Sequence, residues 1–175
     1  MNEEILCGSA CVKYILKQYG KNTNIKPNMF WISELAISLK ENGINNIKLF
    51  CYDSNLYNDF KMIDSSEFDG FKYLQKILDN KIVLQEKKLN SRLLKKELED
   101  SDYILLCVDS KKFNKNEQMS GGHFIILKEI INDKIHVINP LKKKYEQKDI
   151  PINYIIKCCK EFGSWRILIK GETKW

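Results

Sequence analysis

Three residues of this 175-residue chain have types and spacing that could do chemistry together: Cys7, His123 and Asn139. Cys7 stands just before a helical pattern. A thiol there meets the positive end of the helix dipole and unpaired backbone N–H groups, and both favour thiolate. A lowered thiol pKa is therefore expected. Gly8 would let a substrate backbone approach, and the N–H groups of this turn could form part of an oxyanion hole. His123 opens a strand directly after Gly121-Gly122, which leave the backbone open beside the ring. It could take the thiol proton and return it to a leaving group. Asn139 follows sixteen residues later, before Pro140. In an antiparallel hairpin the start of one strand lies near the end of its partner, so the amide could hold the imidazole. A cysteine, histidine and amide so related carry acyl transfer through a thioester.

The elements that must position these groups are legible in the hydrophobic periodicity. Ala10, Cys11, Tyr14, Ile15 and Leu16 have helical spacing over 8–19, and Gly20 follows as a C-terminal cap. A second helix over 31–42 is built on Trp31, Ile32, Leu35, Ala36 and Leu39 and stops at Asn42-Gly43. Residues 44–52 read as a strand. Asp69 is placed to cap a helix over 70–79, and Asn90 to cap another through Leu93, Leu94 and Leu98. Residues 82–85 read as a short strand or a turn. Then come a buried strand over 103–108, a polar loop over 111–122, and a hairpin of His123–Ile130 and Ile135–Ile138 around Asn132-Asp133. A short helix over 152–161 and a last strand, Trp165–Ile169, close the chain. Helices first and sheet afterwards is an α+β pattern. The length suits one domain over 1–175, and no linker divides it.

Composition bounds the answer further. The chain is 43% hydrophobic and 30% charged, enough for a core without disulfides. Six cysteines are present with no CxxC spacing and only two histidines, so free thiols are expected and zinc is not. No cofactor is called for. No run of 18 apolar residues exists, and the start Met1-Asn2-Glu3-Glu4 is not a secretory signal, so a cytoplasmic location off the membrane is expected. The formal charge of +6 favours acidic partners. No phosphate loop or nucleic-acid motif is present.

Bland readings compete at each position. A cysteine near a helix start is more often a small buried residue, and His123 can be a strand-end histidine. Cys11 is a rival nucleophile, but it falls on the apolar stripe of the helix and reads as core. His136 alternates within the hairpin and reads as structural or exposed. Lys142-Lys143-Lys144 reads as a solvated turn. Trp31 is a candidate for the cleft, although a helix tryptophan is more often core.

Cys7-Gly8-Ser9-Ala10-Cys11-Val12 resembles the nucleophile motif of the bacteriocin-processing peptidases, the papain-like leader-peptide (double-glycine) peptidase family. Gly122-His123-Phe124-Ile125-Ile126-Leu127 is similar to their histidine strand, and Val137-Ile138-Asn139-Pro140 to their strand ending in Asp-Pro. The resemblance implies a papain-like fold with N-terminal helices packed on a C-terminal antiparallel sheet. It also implies catalysis by Cys7, His123 and Asn139. Two departures stand out. Asn139 replaces the family's Asp, as in papain-like enzymes generally. The oxyanion-hole Gln, about six residues before the nucleophile, is replaced by Met1, and Asn2 is the nearest amide. A weaker likeness, of Trp31 to Ala36, is to the guanylyl-cyclase-domain family.

What attacks the thioester decides the function: water makes a peptidase, an amine makes a transacylase. The favoured expectation is a stand-alone transacylase taking an acyl or peptidyl group from an acidic carrier protein. Papain-like proteins resembling this one do so in carrier-protein-templated peptide assembly of the closthioamide type. The absent Gln suits a thioester donor, which needs less carbonyl polarisation than an amide. The alternatives are a leader peptidase acting on a peptide substrate and a non-catalytic peptide-binding domain.

Overall fold

The computed structural model describes residues 6–29, 31–51, 70–115, 121–140, 145–159 and 165–171. Asn2, the Asp69 cap and Lys142 to Lys144 lie outside the described residues.

The chain begins with two helices, α1 (Cys7–Gln18) and α2 (Ile32–Glu41). Both end as the sequence suggests. Gly20 takes φ +64 and Gly43 φ +89, a region that suits glycine. After α1, Gly20 N–H bonds to Lys17 C=O and Lys21 N–H to Leu16 C=O. After α2, Gly43 and Ile44 repeat the pattern on Lys40 and Leu39. These paired bonds satisfy the last helical carbonyls. Cys7 is the first helical residue rather than the one before it, and Leu6 is the N-cap.

Strand β1 (Asn46–Cys51), helix α3 (Gly70–Asp79), strand β2 (Val83–Glu86) and helix α4 (Ser91–Asp100) follow. Asn90 caps α4 as its residue type predicts, its side chain accepting Leu93 N–H at 2.9 Å. Then come β3 (Tyr103–Asp109), a helical turn α5 (Ser110–Phe113), β4 (Gly122–Ile131), β5 (Lys134–Asn139), β6 (Glu146–Pro151), α6 (Ile152–Cys159) and β7 (Arg166–Lys170). The β4–β5 turn uses Asn132 at φ 50 and Asp133 at φ 61, the left-handed pair that a two-residue hairpin demands.

The α+β expectation holds: one seven-stranded sheet has the order β2-β1-β7-β3-β4-β5-β6. All its pairs are antiparallel except β1 with β2. So residues 82–85 resolve into a parallel edge strand, and two strands come from the helical half of the chain. At the other edge β6 was not foreseen. Its sequence, Glu-Gln-Lys-Asp-Ile-Pro, is almost wholly exposed and has no apolar face to betray a strand.

Each face of the sheet carries its own core. On one, α1 and α2 pack Ile15, Leu16, Leu35 and Leu39 onto Leu105, Phe124, Ile126 and Ile138. On the other, α4 and α6 pack Leu94, Leu98 and Ile155 onto Leu106, Val108, Ile125 and Val137. Burying each Leu or Ile fully is worth about 1.5–3 kcal/mol. The second core also holds Arg166, fully buried. Its Nε and Nη2 grip Glu97 at 2.6 and 2.5 Å, and its guanidinium lies 4.3 Å from the Phe50 ring centroid. No described helix is long and apolar enough to cross a membrane.

Candidate functional site

The first turn of α1 is held from outside the helix. Leu6 N–H bonds to Pro27 C=O at 2.9 Å, and Ser9 Oγ, fully buried, accepts Met29 N–H at 2.9 Å. Gly8 is buried under this loop. A Cβ there would lie 3.0 Å from Met29 O and 3.1 Å from both methyls of Leu35. Gly8 was expected to let a substrate backbone approach. Instead its lack of a side chain lets α1 close on α2 and the Pro27–Met29 loop, which fixes Cys7.

Cys7 is half-buried at this corner. Backbone N–H groups of Phe124, Gly8 and Cys7 itself reach its sulfur and favour thiolate, but burial pushes the thiol above its ordinary value and dominates. This reverses the lowered pKa expected from the helix terminus alone. The N–H of Phe124 belongs to the peptide unit joining His123 to Phe124, so the sulfur sits beside the backbone of the candidate base. Cys11, one turn on, is fully buried, and its Sγ donates to Phe124 C=O at 3.5 Å. Burial pushes its thiol well up. Cys11 is a core residue by position.

The β3–β4 register opposes His123 to Val108, and alternation sets His123 on the face shared with Ile125 and Leu127, whereas Cys7 packs against the core of the opposite face and its sulfur reaches β4 at the Phe124 N–H. The β4–β5 register opposes Leu127 to Val137, so Asn139 falls on the same face, beside the histidine's end of β4. The outcome is a hydrogen bond between two buried side chains, His123 Nε2 to Asn139 Oδ1 at 2.9 Å. An amide oxygen only accepts, so Nε2 carries a proton in this bond, and in the neutral ring Nδ1 keeps its lone pair. This is the neutral tautomer that a general base needs.

Phe113 packs against the same imidazole, with ring centroids 6.2 Å apart and planes at 38°. Sequence reading placed Phe113 in a polar loop. The signal it missed was Asp109, whose carboxylate caps the α5 turn at Lys112 N–H, 2.7 Å away. Tyr154 of α6 ties the same turn down, donating to Lys112 C=O at 2.6 Å.

The remaining predicted residues fall as follows. Gly122 is exposed at the start of β4, opposite Asp109. Trp31 is half-buried as the N-cap of α2, its backbone N–H bonded to Glu34 Oε2 at 3.1 Å. Asn2, proposed for the oxyanion hole, lies outside the described residues. His136, read as structural or exposed, is half-buried and bonds Asp149 Oδ1 through Nδ1 at 2.9 Å. Cys7, Cys11, Cys107, Cys158 and Cys159 are free thiols. No group of three or more His, Cys, Asp or Glu able to hold a metal occurs among the described residues.

No family model matches the chain, and no curated protein matches it. Among solved structures it is similar to a presumed C39-like peptidase from Bacillus anthracis, at 12% identity and a TM-score of 0.47, over 98% of this chain and 95% of that one.

Proposed function

We propose that the chain is a cysteine acyl-transfer enzyme in which Cys7 is the nucleophile, His123 its base and Asn139 the group that orients the base. The observation that carries this reading is the buried His123–Asn139 hydrogen bond, formed one peptide unit from the N–H that reaches Cys7 sulfur. The His123 ring, at the start of β4, must turn toward the α1 side for Nδ1 to take the thiol proton; the sulfur then attacks an acyl carbonyl. The donor's leaving group departs with that proton, leaving acyl-Cys7. An acceptor then gives its proton to His123 and displaces the thiolate.

A thioester is the donor that this site suits best. A thiol of ordinary or higher pKa exchanges readily with another thioester, whose leaving thiol has a comparable pKa. An amide demands more, because its amine must be protonated as it leaves and its carbonyl is less electrophilic. We therefore favour a transacylase that moves an acyl or peptidyl group from an acidic carrier protein to an amine, working in the cytoplasm. Incubating the protein with an acylated carrier protein, with and without an amine acceptor, tests this by product mass. Amide formed at the expense of free acid is the expected result. Release of free acid alone, or cleavage of a peptide with no transfer, would replace the transacylase with a hydrolase.

A further inference from the structure

A concavity lies away from Cys7. It occupies the β2–β1–β7 end of the sheet, on the face that carries α4, and encloses about 620 Å³. Strands β7 and β1, which line it, are two and three places from β4 in the sheet, so they lie about 10 and 14 Å from the His123 strand in the plane of the sheet. Helix α4 forms one wall of the cleft through Leu93, Lys96, Glu97 and Asp100. Its lining includes five exposed lysines: Lys48, Lys81, Lys87, Lys96 and Lys170. Two carboxylates face them among the described residues. One, Glu97, is already gripped by buried Arg166, which leaves Asp100 as the acidic counterweight. The apolar part of the lining is mainly aliphatic: Val83 at 45% exposure, half-buried Leu93, and Leu168.

We infer that this cleft is a docking site for an acidic amphipathic segment of a partner protein. Five cations around an aliphatic floor match a helix or strand with carboxylates on one side and aliphatic residues on the other. The floor disfavours nucleic acid. Its aromatic ring, Phe50, is 4% exposed and already covered by the Arg166 guanidinium, so no open ring is offered for base stacking. The proposed reaction at Cys7 with an acidic carrier would use such a surface, but binding here needs no catalysis. The cleft would hold a partner while a tethered group reaches the thiol around the sheet.

The test uses the full chain carrying Cys7→Ala, so that failure of the acyl-transfer reading cannot affect it. Its binding to a fluorescent Glu/Leu amphipathic peptide is followed by anisotropy, beside a Lys/Leu peptide with the same apolar positions and a short oligothymidylate. The expected result is preference for the acidic peptide, weakened about tenfold or more by Lys48→Glu with Lys96→Glu and by added salt. Circular dichroism of the double variant checks its fold. In the parent chain, the acidic peptide should also slow acetylation of Lys48, Lys96 and Lys170. No binding of the acidic peptide, binding that leaves these lysines unprotected, or tighter binding of the oligothymidylate would overturn the inference.

Discussion

His123 Nε2 and Asn139 Oδ1 are 2.9 Å apart, both side chains buried, on neighbouring strands whose register brings the end of one beside the start of the other. Removing the amide frees the ring to rotate and to change tautomer. Asn139→Ala should therefore lower kcat/KM on the order of a hundredfold while Cys7 remains alkylatable. Asn139→Asp should keep more activity. It should also move the acidic limb of the pH profile upward, because a carboxylate stabilises the imidazolium. Steady-state profiles of the two variants check both statements.

The Cys7 thiol gives a second test, with an unambiguous sign. Burial raises its pKa, so at neutral pH less of it is thiolate than of a free cysteine. In His123→Ala, where no imidazolium can pair with the sulfur, iodoacetamide should label Cys7 slowly near neutrality. The rate should keep climbing past the ordinary thiol value of 9.0. A labelling midpoint below that value would show that the helix terminus outweighs burial. Mass mapping assigns the label to Cys7.

Gly8 is constrained by space. A methyl group at 3.0 Å from Met29 O and 3.1 Å from Leu35 forces α1 away from its neighbours. Gly8→Ala should cost about 1–3 kcal/mol, read from the urea midpoint. It should also lower activity by more than the unfolded fraction explains, because the same shift moves Cys7.

Glu97 and Arg166 form a buried ion pair. Glu97→Ala leaves the guanidinium buried with one charge partner gone, which should cost about 3–5 kcal/mol. Replacing both residues by Met should recover much of that loss. Thermal melts of the single and double variants provide the check.

The parts of this molecule that repeat an apolar period were legible in its sequence. Helices α1 and α2 run close to the expected spans, and the Asn132-Asp133 turn joins the strands that bring His123 to Asn139. Other parts were not, each for a physical reason. Strand β6 has no apolar face, because it lies at an exposed edge and is held by backbone pairing to β5. Arg166 sits in a strand between Trp165 and Ile167, and only the fold reveals that Glu97 waits there to neutralise it. The direction of the Cys7 shift depends on how deeply the thiol is covered, which local sequence does not encode. Gly8 looked like an opening for substrate because its crowding comes from Leu35 and Met29, more than twenty residues away.

The most direct measurement concerns where the acyl group goes. The protein is mixed with a reactive small-molecule thioester, quenched in acid, and analysed by intact mass and peptide mapping. The account predicts one acyl adduct, on Cys7, lost in Cys7→Ala, much slowed in His123→Ala and retained in Cys11→Ala. An adduct on Cys11, or equal acylation with and without His123, would contradict it.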